Sequence, residues 1–286
     1  MTRHLLTIDD LSGPDILAVL DMAERVELPQ ILRGKGVALL FEKPSSRTRH
    51  SVEMATVQLG GHPVVDTGEL DRRESIEDLT RTLVGYHFVL AARVFEHHKV
   101  QRMAAVSGDR PVLNMLSDHE HPLQGLADLM TLRQEFGDLR GRRLVWLGEF
   151  NNVARSLAGG AKLLGAELTA CCPEGFGPSD TDDVRSVERP QDAVEGADCL
   201  VTDTWYSMGW EAEANERRPV FRPYQVTSDL MSRANPSAIF LHCLPAHRGE
   251  EATDDVLDGA QSRIFRQAHN RMHTARAVLA FLMGIR

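Results

Sequence analysis

A cluster of hydroxyl and guanidinium side chains lies between an apolar run and a helical pattern near the start of the chain. The apolar run Gly36–Phe41 is typical of a buried strand, and apolar residues spaced by three and four from Val52 predict a helix. Between them stands Ser45-Ser46-Arg47-Thr48-Arg49. Free N–H groups and the helix dipole favour anions at a helix N-terminus. An ordinary helix cap explains one serine, but three hydroxyls and two arginines in five residues predict a phosphate site.

A second group begins at His121, where Pro122 fits the first turn of a helix. A neutral imidazole can donate to a carbonyl oxygen, and the Gln124 carbonyl can accept from an amide NH2. The pair suits a carbamoyl group, although a capping histidine and a surface glutamine explain the same residues. The histidines His97-His98 and His119 could suggest a metal site, but no carboxylate or thiol lies at ligand spacing from them, so no metal site is predicted.

Polar residues also stand at the C-terminal ends of three predicted strands, where open α/β sheets bind their ligands. Arg93 ends the first, Asp203 ends the second, and Cys243 follows the third. Each has a simpler explanation, as a surface residue, a helix cap and a small buried side chain respectively. Use of Cys243 as a hydrolase nucleophile would need a base within hydrogen-bond reach.

The sequence alternates between strand and helix patterns, and the predicted strands and helices position these groups. Strands are predicted at 36–41, 62–65, 88–93, 111–115, 144–148, 168–172, 199–203 and 239–242, and helices at Ile8–Leu28, from Glu74, at 126–136, from Asn151 and at 270–285. Such alternation implies parallel sheets with helices on both faces. Two runs in tandem predict an α/β protein of two domains, each a mostly parallel sheet flanked by helices, with the active site in the cleft between them.

Composition narrows the class of protein. The 286 residues suffice for two domains, and 42% hydrophobic with 26% charged residues is typical of a globular chain. A net charge of -9 argues against nucleic acid or an anionic membrane as a partner. Neither a signal peptide nor a membrane span is expected. The four cysteines form no CxxC pair, so reduced thiols in a cytoplasmic protein are expected.

Several of these segments resemble motifs of the aspartate and ornithine carbamoyltransferases. The first cluster is similar to their S-T-R-T-R carbamoyl-phosphate signature, with Ser46 in place of the first threonine. The other matches are Phe41-Glu42-Lys43, His121-Pro122-x-Gln124, Asn151-Asn152, Asp203-x-x-x-Ser207-Met208-Gly209, His242-Cys243-Leu244-Pro245 and Asn270-Arg271-Met272-His273. The D-x-x-x-S-M-G and H-C-L-P forms are typical of the ornithine branch. The resemblance extends from about Leu5 to Leu282.

The resemblance implies transfer of a carbamoyl group from carbamoyl phosphate to the δ-amine of ornithine, giving citrulline and phosphate. It implies a carbamoyl-phosphate-binding domain at residues 1–133 with a C-terminal helix at 269–286, and an ornithine-binding domain at 134–268. It also implies a homotrimer with active sites shared across subunit boundaries. No metal or organic cofactor is expected.

Roles for individual residues follow from the same resemblance. Carbamoyl phosphate is expected to bind Ser45, Ser46, Arg47, Thr48, Arg93, His121, Gln124, Cys243, Leu244 and Arg271. Ornithine is expected to bind Asn152, Asp203, Ser207 and Met208. The catalytic set is Arg93, His121, Asp203, Cys243 and Arg271, of which Arg93, His121 and Arg271 would stabilise an oxyanion.

The chain departs from the family pattern in the loop at 66–74. Glu69 falls near the glutamine that many ornithine enzymes supply to a neighbouring subunit, and a carboxylate is a poor partner for phosphate. No lysine occurs in the loop, which argues against the aspartate branch. A carbamoyltransferase for another amine, such as putrescine or N-acetylornithine, and a non-catalytic paralogue are the alternatives. A paralogue should lack a central catalytic residue, and this chain keeps them all.

Overall fold

The computed structural model describes residues 3–206 and 214–285. Ser207 and Met208 therefore lie outside the described residues. The chain divides into two compact units. The first contains Met1–Met130, Asn151–Gly160 and His269–Arg286, and the second contains Thr131–Phe150 and Ala161–Ala268. No helix in the described ranges has the length and apolar character needed to cross a membrane.

The first unit contains a four-stranded sheet in which all pairings are parallel. Its strands are β1 (Gly36–Phe41), β2 (His62–Thr67), β3 (Val89–Arg93) and β4 (Val112–Leu116), in the order β2-β1-β3-β4. β1 and β3 are buried along almost their whole length because they are the inner strands and helices cover them.

The second unit contains a five-stranded sheet, again with parallel pairings throughout. Its strands are β5 (Arg143–Leu147), β6 (Glu167–Cys171), β7 (Arg185–Ser186), β8 (Cys199–Thr202) and β9 (Ile239–His242), in the order β7-β6-β5-β8-β9. The predicted fold class, two mostly parallel sheets flanked by helices, is confirmed.

Eleven α-helices lie in the described parts of the chain. They are α1 (Gly13–Glu24), α2 (Ser46–Gln58), α3 (Ile76–Leu83), α4 (His97–Val106), α5 (Pro122–Phe136), α6 (Asn152–Leu163), α7 (Pro190–Ala193), α8 (Ala214–Phe221), α9 (Ser228–Ser232), α10 (Asp254–Leu257) and α11 (Ile264–Leu282). In the first unit, α3 and α4 cover one face of the sheet, where Ile76 and Met103 pack with Leu40 and Leu90. Burial of these apolar side chains holds the carboxyl ends of the strands in place.

The helix predicted at Ile8–Leu28 was wrong in its extent. A short 3-10 helix spans Ile8–Asp10, and α1 begins separately at Gly13. The separation follows from a capping box, in which the Ser12 hydroxyl accepts from the Asp15 N–H (3.2 Å) and the Asp15 carboxylate accepts from the Ser12 N–H (3.3 Å). The predicted strands at 36–41 and 239–242 match β1 and β9.

Candidate active site

The hydroxyl-rich cluster forms the turn from β1 into α2, and its predicted place at a helix N-terminus is confirmed. Ser45 is the N-cap residue, and its hydroxyl accepts from the Thr48 N–H at 3.2 Å. Arg47 is partly exposed at this end of the helix. Arg49 instead lies on the helix surface, where it pairs with Glu53 at 2.8 Å. Residues 45–48 therefore form a helix start of the kind that favours anions, with the Arg47 guanidinium at its end, and the phosphate site predicted there stays a prediction.

Arg271 connects Gln124 to the turn at residues 45–48, which we call the phosphate turn because a phosphate site is predicted there. From α11 its Nη1 donates to the Gln124 Oε1 at 2.5 Å, and its Nη2 donates to the Thr48 hydroxyl at 2.8 Å. All three side chains are buried. The guanidinium fork thus fixes residues from α2 and α5, which are far apart in the sequence, in one small region.

Gln124 is oriented from both sides. Its Nε2 donates to Asp128 at 2.7 Å, one helical turn further along α5, while its Oε1 accepts from Arg271. A carboxylate only accepts and a guanidinium only donates, so the amide has a single compatible orientation. The spacing of four residues between Gln124 and Asp128 was available in the sequence, but no carboxylate role was predicted there.

His121 is buried between cationic side chains. Burial, and then the positive charges of Arg271 and Arg93, hold the pKa of His121 well below its usual value. The imidazole is therefore neutral at physiological pH and can donate a hydrogen bond without carrying charge. Its backbone N–H donates to the Ser156 hydroxyl at 2.9 Å, which anchors the start of α5 to α6.

Arg93 ends β3, as predicted, and is itself buried. It pairs in register with Phe41, the last residue of β1, and its backbone carbonyl accepts from the Glu42 N–H at 2.9 Å. Arg93 and the phosphate turn therefore leave neighbouring strands at the same sheet edge. Arg93, Thr48, His121, Gln124 and Arg271 thus all belong to the first unit.

The two asparagines at the start of α6 have separate contacts. The Asn151 side chain accepts from the N–H groups of Val153 (3.0 Å) and Ala154 (3.1 Å), which is a helix cap. The Asn152 Nδ2 donates to the Ser117 carbonyl at 2.6 Å. Residues 151–160 belong to the first compact unit, so Asn152 lies in a different unit from Asp203. The predicted ornithine contact of Asn152 stays a prediction.

Asp203 and Cys243 are adjacent at the carboxyl edge of the second sheet. Thr202 pairs in register with His242, so the residue after each strand emerges beside the other. The Cys243 Sγ donates to the Asp203 Oδ1 at 2.7 Å. Leu244 has a φ of 58°, in the left-handed region, and its N–H donates to the His242 Nδ1 at 2.9 Å. These bonds fix the turn that carries the thiol.

Ligand atoms of Asp203, His242 and Cys243 lie within 4.8 Å of one another, a spacing that a metal ion can accept. All three of these side chains already have hydrogen bonds, from the Cys243 thiol to Asp203 and from the Leu244 N–H to the His242 ring. The expectation that no metal is required stays a prediction.

One buried carboxylate beside the site was missed in the sequence. Glu120 precedes His121, and its Oε2 accepts from the Ile8 N–H (2.7 Å) and the Ser156 hydroxyl (2.9 Å). Burial raises the pKa of Glu120 to about 7. Glu120 ends a polar stretch for which no buried carboxylate was predicted, and only the fold places it against the N-terminal 3-10 helix.

Comparison with known proteins gives a consistent family for this fold and site. Residues 3–134 match the family model for the carbamoyl-P binding domain of aspartate/ornithine carbamoyltransferase, and residues 140–282 match the model for its Asp/Orn binding domain. The chain belongs to the aspartate/ornithine carbamoyltransferase family.

Similar proteins mostly carry the name of the ornithine branch. An anabolic ornithine carbamoyltransferase of Pyrococcus furiosus is 42% identical, over 99% of this chain and 96% of its own length. A solved ornithine carbamoyltransferase structure from the same organism has a TM-score of 0.95 at 41% identity, covering 100% of this chain and 98% of its own. A solved N-acetyl-L-ornithine transcarbamylase has a TM-score of 0.87 at 28% identity, covering 98% and 99%.

Proposed function

We propose that the protein transfers the carbamoyl group of carbamoyl phosphate to the δ-amine of L-ornithine, giving L-citrulline and phosphate. The observation that carries this proposal is the double contact of Arg271 with Thr48 and Gln124. This contact connects a turn suited to phosphate with a side chain suited to an amide. A phosphate and an amide are the two ends of carbamoyl phosphate. The higher identity to ornithine enzymes than to the N-acetylornithine enzyme supports ornithine as the acceptor.

Carbamoyl phosphate is held mainly by the first unit in this proposal. Ser45, Ser46, Arg47 and Thr48 bind the phosphate through hydroxyls, the guanidinium and the N–H groups at the start of α2. Gln124 accepts from the carbamoyl NH2 through its oriented carbonyl, together with the backbone carbonyl of Leu244. The neutral His121 and the two guanidiniums of Arg93 and Arg271 donate to the carbonyl oxygen.

The chemical step is attack of the neutral δ-amine on the carbonyl carbon. Charge develops on the carbonyl oxygen, where Arg93, His121 and Arg271 stabilise it. The C–O bond to phosphate then breaks, phosphate leaves toward the helix start, and the new C–N bond remains in citrulline. Asp203 and Cys243 bind the amine and favour loss of its proton, while Asn152, Ser207 and Met208 hold the amino-acid end of ornithine. Positioning and fixed charge supply the rate, without a cofactor.

Other features of the family extend this proposal. The protein forms a homotrimer, works in the cytoplasm and belongs to arginine biosynthesis. The anabolic name of the Pyrococcus furiosus relative supports the biosynthetic direction. Light scattering of the purified protein tests the trimer, since a mass near 95 kDa is expected for three chains of 31.8 kDa and a monomer would contradict it.

The assignment is tested by measuring citrulline formation from carbamoyl phosphate and ornithine, with putrescine, N-acetylornithine and aspartate as parallel acceptors. Turnover with ornithine alone is expected. Turnover with another amine would retain the carbamoyl-phosphate part of the proposal and contradict the acceptor. Absence of turnover with all four would favour a non-catalytic role.

Arg47→Ala is expected to raise the KM for carbamoyl phosphate about 10- to 100-fold, because a charge-assisted contact with phosphate is lost. Arg49→Ala is the matched control, since Arg49 lies two residues away and pairs with Glu53 on the helix surface. Steady-state kinetics at saturating ornithine provide the measurement. Equal KM values for the Arg47 variant and wild type would exclude Arg47 from the phosphate site.

Cys243→Ala is expected to raise the KM for ornithine about tenfold and to lower turnover, because Asp203 loses a hydrogen-bond donor beside the amine. Cys243→Ser retains a donor and should recover part of the loss. Cys172→Ala is the control, since Cys172 is also partly buried and follows β6 of the same sheet. Wild-type kinetics in the alanine variant would show that the thiol only fills space.

A further inference from the structure

The carboxylate of Glu42 receives three hydrogen bonds at the edge of the first sheet. Its Oε1 accepts from the Leu70 N–H (3.1 Å) and from the Lys99 Nζ (2.7 Å), and its Oε2 accepts from the Phe95 N–H (3.0 Å). Glu42 directly follows β1, Leu70 lies after β2, and Phe95 lies two residues beyond Arg93 of β3. One side chain thus connects the exits of three adjacent strands.

Lys99 extends this connection to the loop at residues 68–75. Its Nζ donates to Asp71 at 2.9 Å as well as to Glu42. The side chains of Lys99 and Glu42 are 6% and 1% exposed, whereas that of Asp71 is 32% exposed. Burial opposes the charge of Lys99, but hydrogen bonds to Glu42 and Asp71 raise its pKa above the ordinary value. Removing either carboxylate would leave the buried ammonium with an uncompensated charge, which is strongly destabilising. The ion pairs should therefore hold the segments that carry these three residues in fixed positions.

We propose that Glu42, Lys99 and Asp71 form a positioning unit that fixes the phosphate turn, the strand end that carries Arg93 and the loop at 68–75 relative to one another. In the binding mode proposed above, none of the three is assigned a contact with carbamoyl phosphate or ornithine. This inference rests on the proposed binding of carbamoyl phosphate at residues 45–48.

The positions of the strand ends explain why such a unit matters for binding. Glu42 lies three residues before Ser45, and its backbone N–H is already bonded to the Arg93 carbonyl. A shift of Glu42 should therefore displace both the turn that follows it and the Arg93 end of β3. Small displacements of binding groups carry a large cost, because the contacts with phosphate and carbonyl must form together.

The bonding pattern also explains why glutamine cannot replace Glu42. Both oxygens face donors, with Phe95 on one side and Leu70 and Lys99 on the other. An amide has only one acceptor oxygen, so its NH2 would face at least one N–H group. Glu42→Gln therefore disrupts the unit although it preserves the shape of the side chain.

The loop itself supplies an independent readout. Arg72 and Arg73 are exposed, while Leu70 is buried and anchors the loop through its N–H to Glu42. Trypsin cleaves after arginine only when the chain can leave its folded position. Release of Asp71 from Lys99 should therefore accelerate cleavage after Arg72 and Arg73.

The test compares wild type with Lys99→Met, Glu42→Gln and Asp71→Ala. Glu77→Gln is the matched control, because Glu77 forms a bidentate pair with Arg102 of α4 (2.7 and 2.7 Å) without contacting a strand end. We expect Lys99→Met and Glu42→Gln to raise the KM for carbamoyl phosphate about tenfold, with kcat at saturating substrate changed less than about threefold. Asp71→Ala should accelerate tryptic cleavage after Arg72 and Arg73, which mass spectrometry measures. It should raise the KM for carbamoyl phosphate by less than the other two variants do.

Folded variants whose KM and cleavage rate equal those of Glu77→Gln would overturn the proposal. Loss of active protein at unchanged KM would also overturn it, since that is the result of a purely structural ion pair. If Lys99→Met does not fold, Asp71→Ala decides by the same two readouts. If the wild type shows no turnover, the affinity for inorganic phosphate is measured by titration in place of the KM. Failure of the proposed function then remains distinguishable from failure of the proposed positioning unit.

Discussion

Arg271→Lys is expected to lower kcat about 100- to 1,000-fold, the effect of removing one oxyanion donor from an acyl-transfer site. Arg271 makes two side-chain bonds in the same region, to Gln124 (2.5 Å) and Thr48 (2.8 Å). Lysine retains the charge but is a point donor on a flexible stem, so it cannot reproduce two bonds in fixed directions. In the variant, Gln124 and the start of α2 should therefore lose their fixed orientation, and the carbonyl oxygen of the substrate should lose a hydrogen-bond donor.

Arg276→Lys on the same helix is the matched control. Arg276 is also buried, but its guanidinium donates to the backbone carbonyls of Arg25 (2.5 Å) and Val26 (3.1 Å), far along the chain from the site residues. It should change stability and leave kcat of the folded enzyme unchanged. Single-turnover and steady-state rates of both variants, with circular dichroism to check folding, make the measurement. A kcat of Arg271→Lys within about threefold of wild type would exclude its role in the chemical step.

The strand ends explain why the places of three candidate residues could be predicted. Apolar runs identified β1, β3, β8 and β9, and parallel strands present their carboxyl ends at one edge. The places of Arg93, Asp203 and Cys243 at strand ends were predicted from these runs, whereas their roles came from the family resemblance and stay predictions. The register of Thr202 with His242 explains why Asp203 and Cys243 are in contact. Local pattern was sufficient because these side chains directly follow the elements that position them.

Contacts between distant segments could not be predicted in the same way. The polar stretch around Glu120 carries no periodic signal, yet Glu120 binds Ile8, which lies 112 residues away in the chain. Lys99 lies in α4, a helix that the sequence pattern did not predict, and it is buried only because Glu42 and Asp71 surround its charge. Charged residues are seldom fully buried, so residue type alone predicts a surface position for both Glu120 and Lys99.

Glu120→Gln is expected to remove most of a pH dependence of stability between pH 5 and pH 8. The pKa of Glu120 rises from 4.5 to about 7 on folding because burial disfavours its charged form, with Asp9 raising it further and Arg155 opposing. A pKa raised in the folded state means that the stabilising contribution is complete below pH 4.5 and is lost as pH increases through 7. The shift corresponds to about 3 kcal/mol of unfolding free energy.

Glutamine suits this test because both hydrogen bonds to Glu120 reach the same oxygen, Oε2, from Ile8 and Ser156. The amide oxygen can keep both bonds at any pH, whereas the ionised carboxylate carries a buried charge. Urea unfolding at pH 5.5 and pH 8 should show the wild type losing stability that the variant retains, and Glu27→Gln, at an exposed site, should behave as wild type. Parallel pH profiles for wild type and Glu120→Gln would show that this carboxylate is ionised, or solvated, throughout. Ser156 also accepts from the His121 N–H at the start of α5. The loss of stability at high pH should therefore affect the start of α5 first, and hydrogen exchange can detect this local opening.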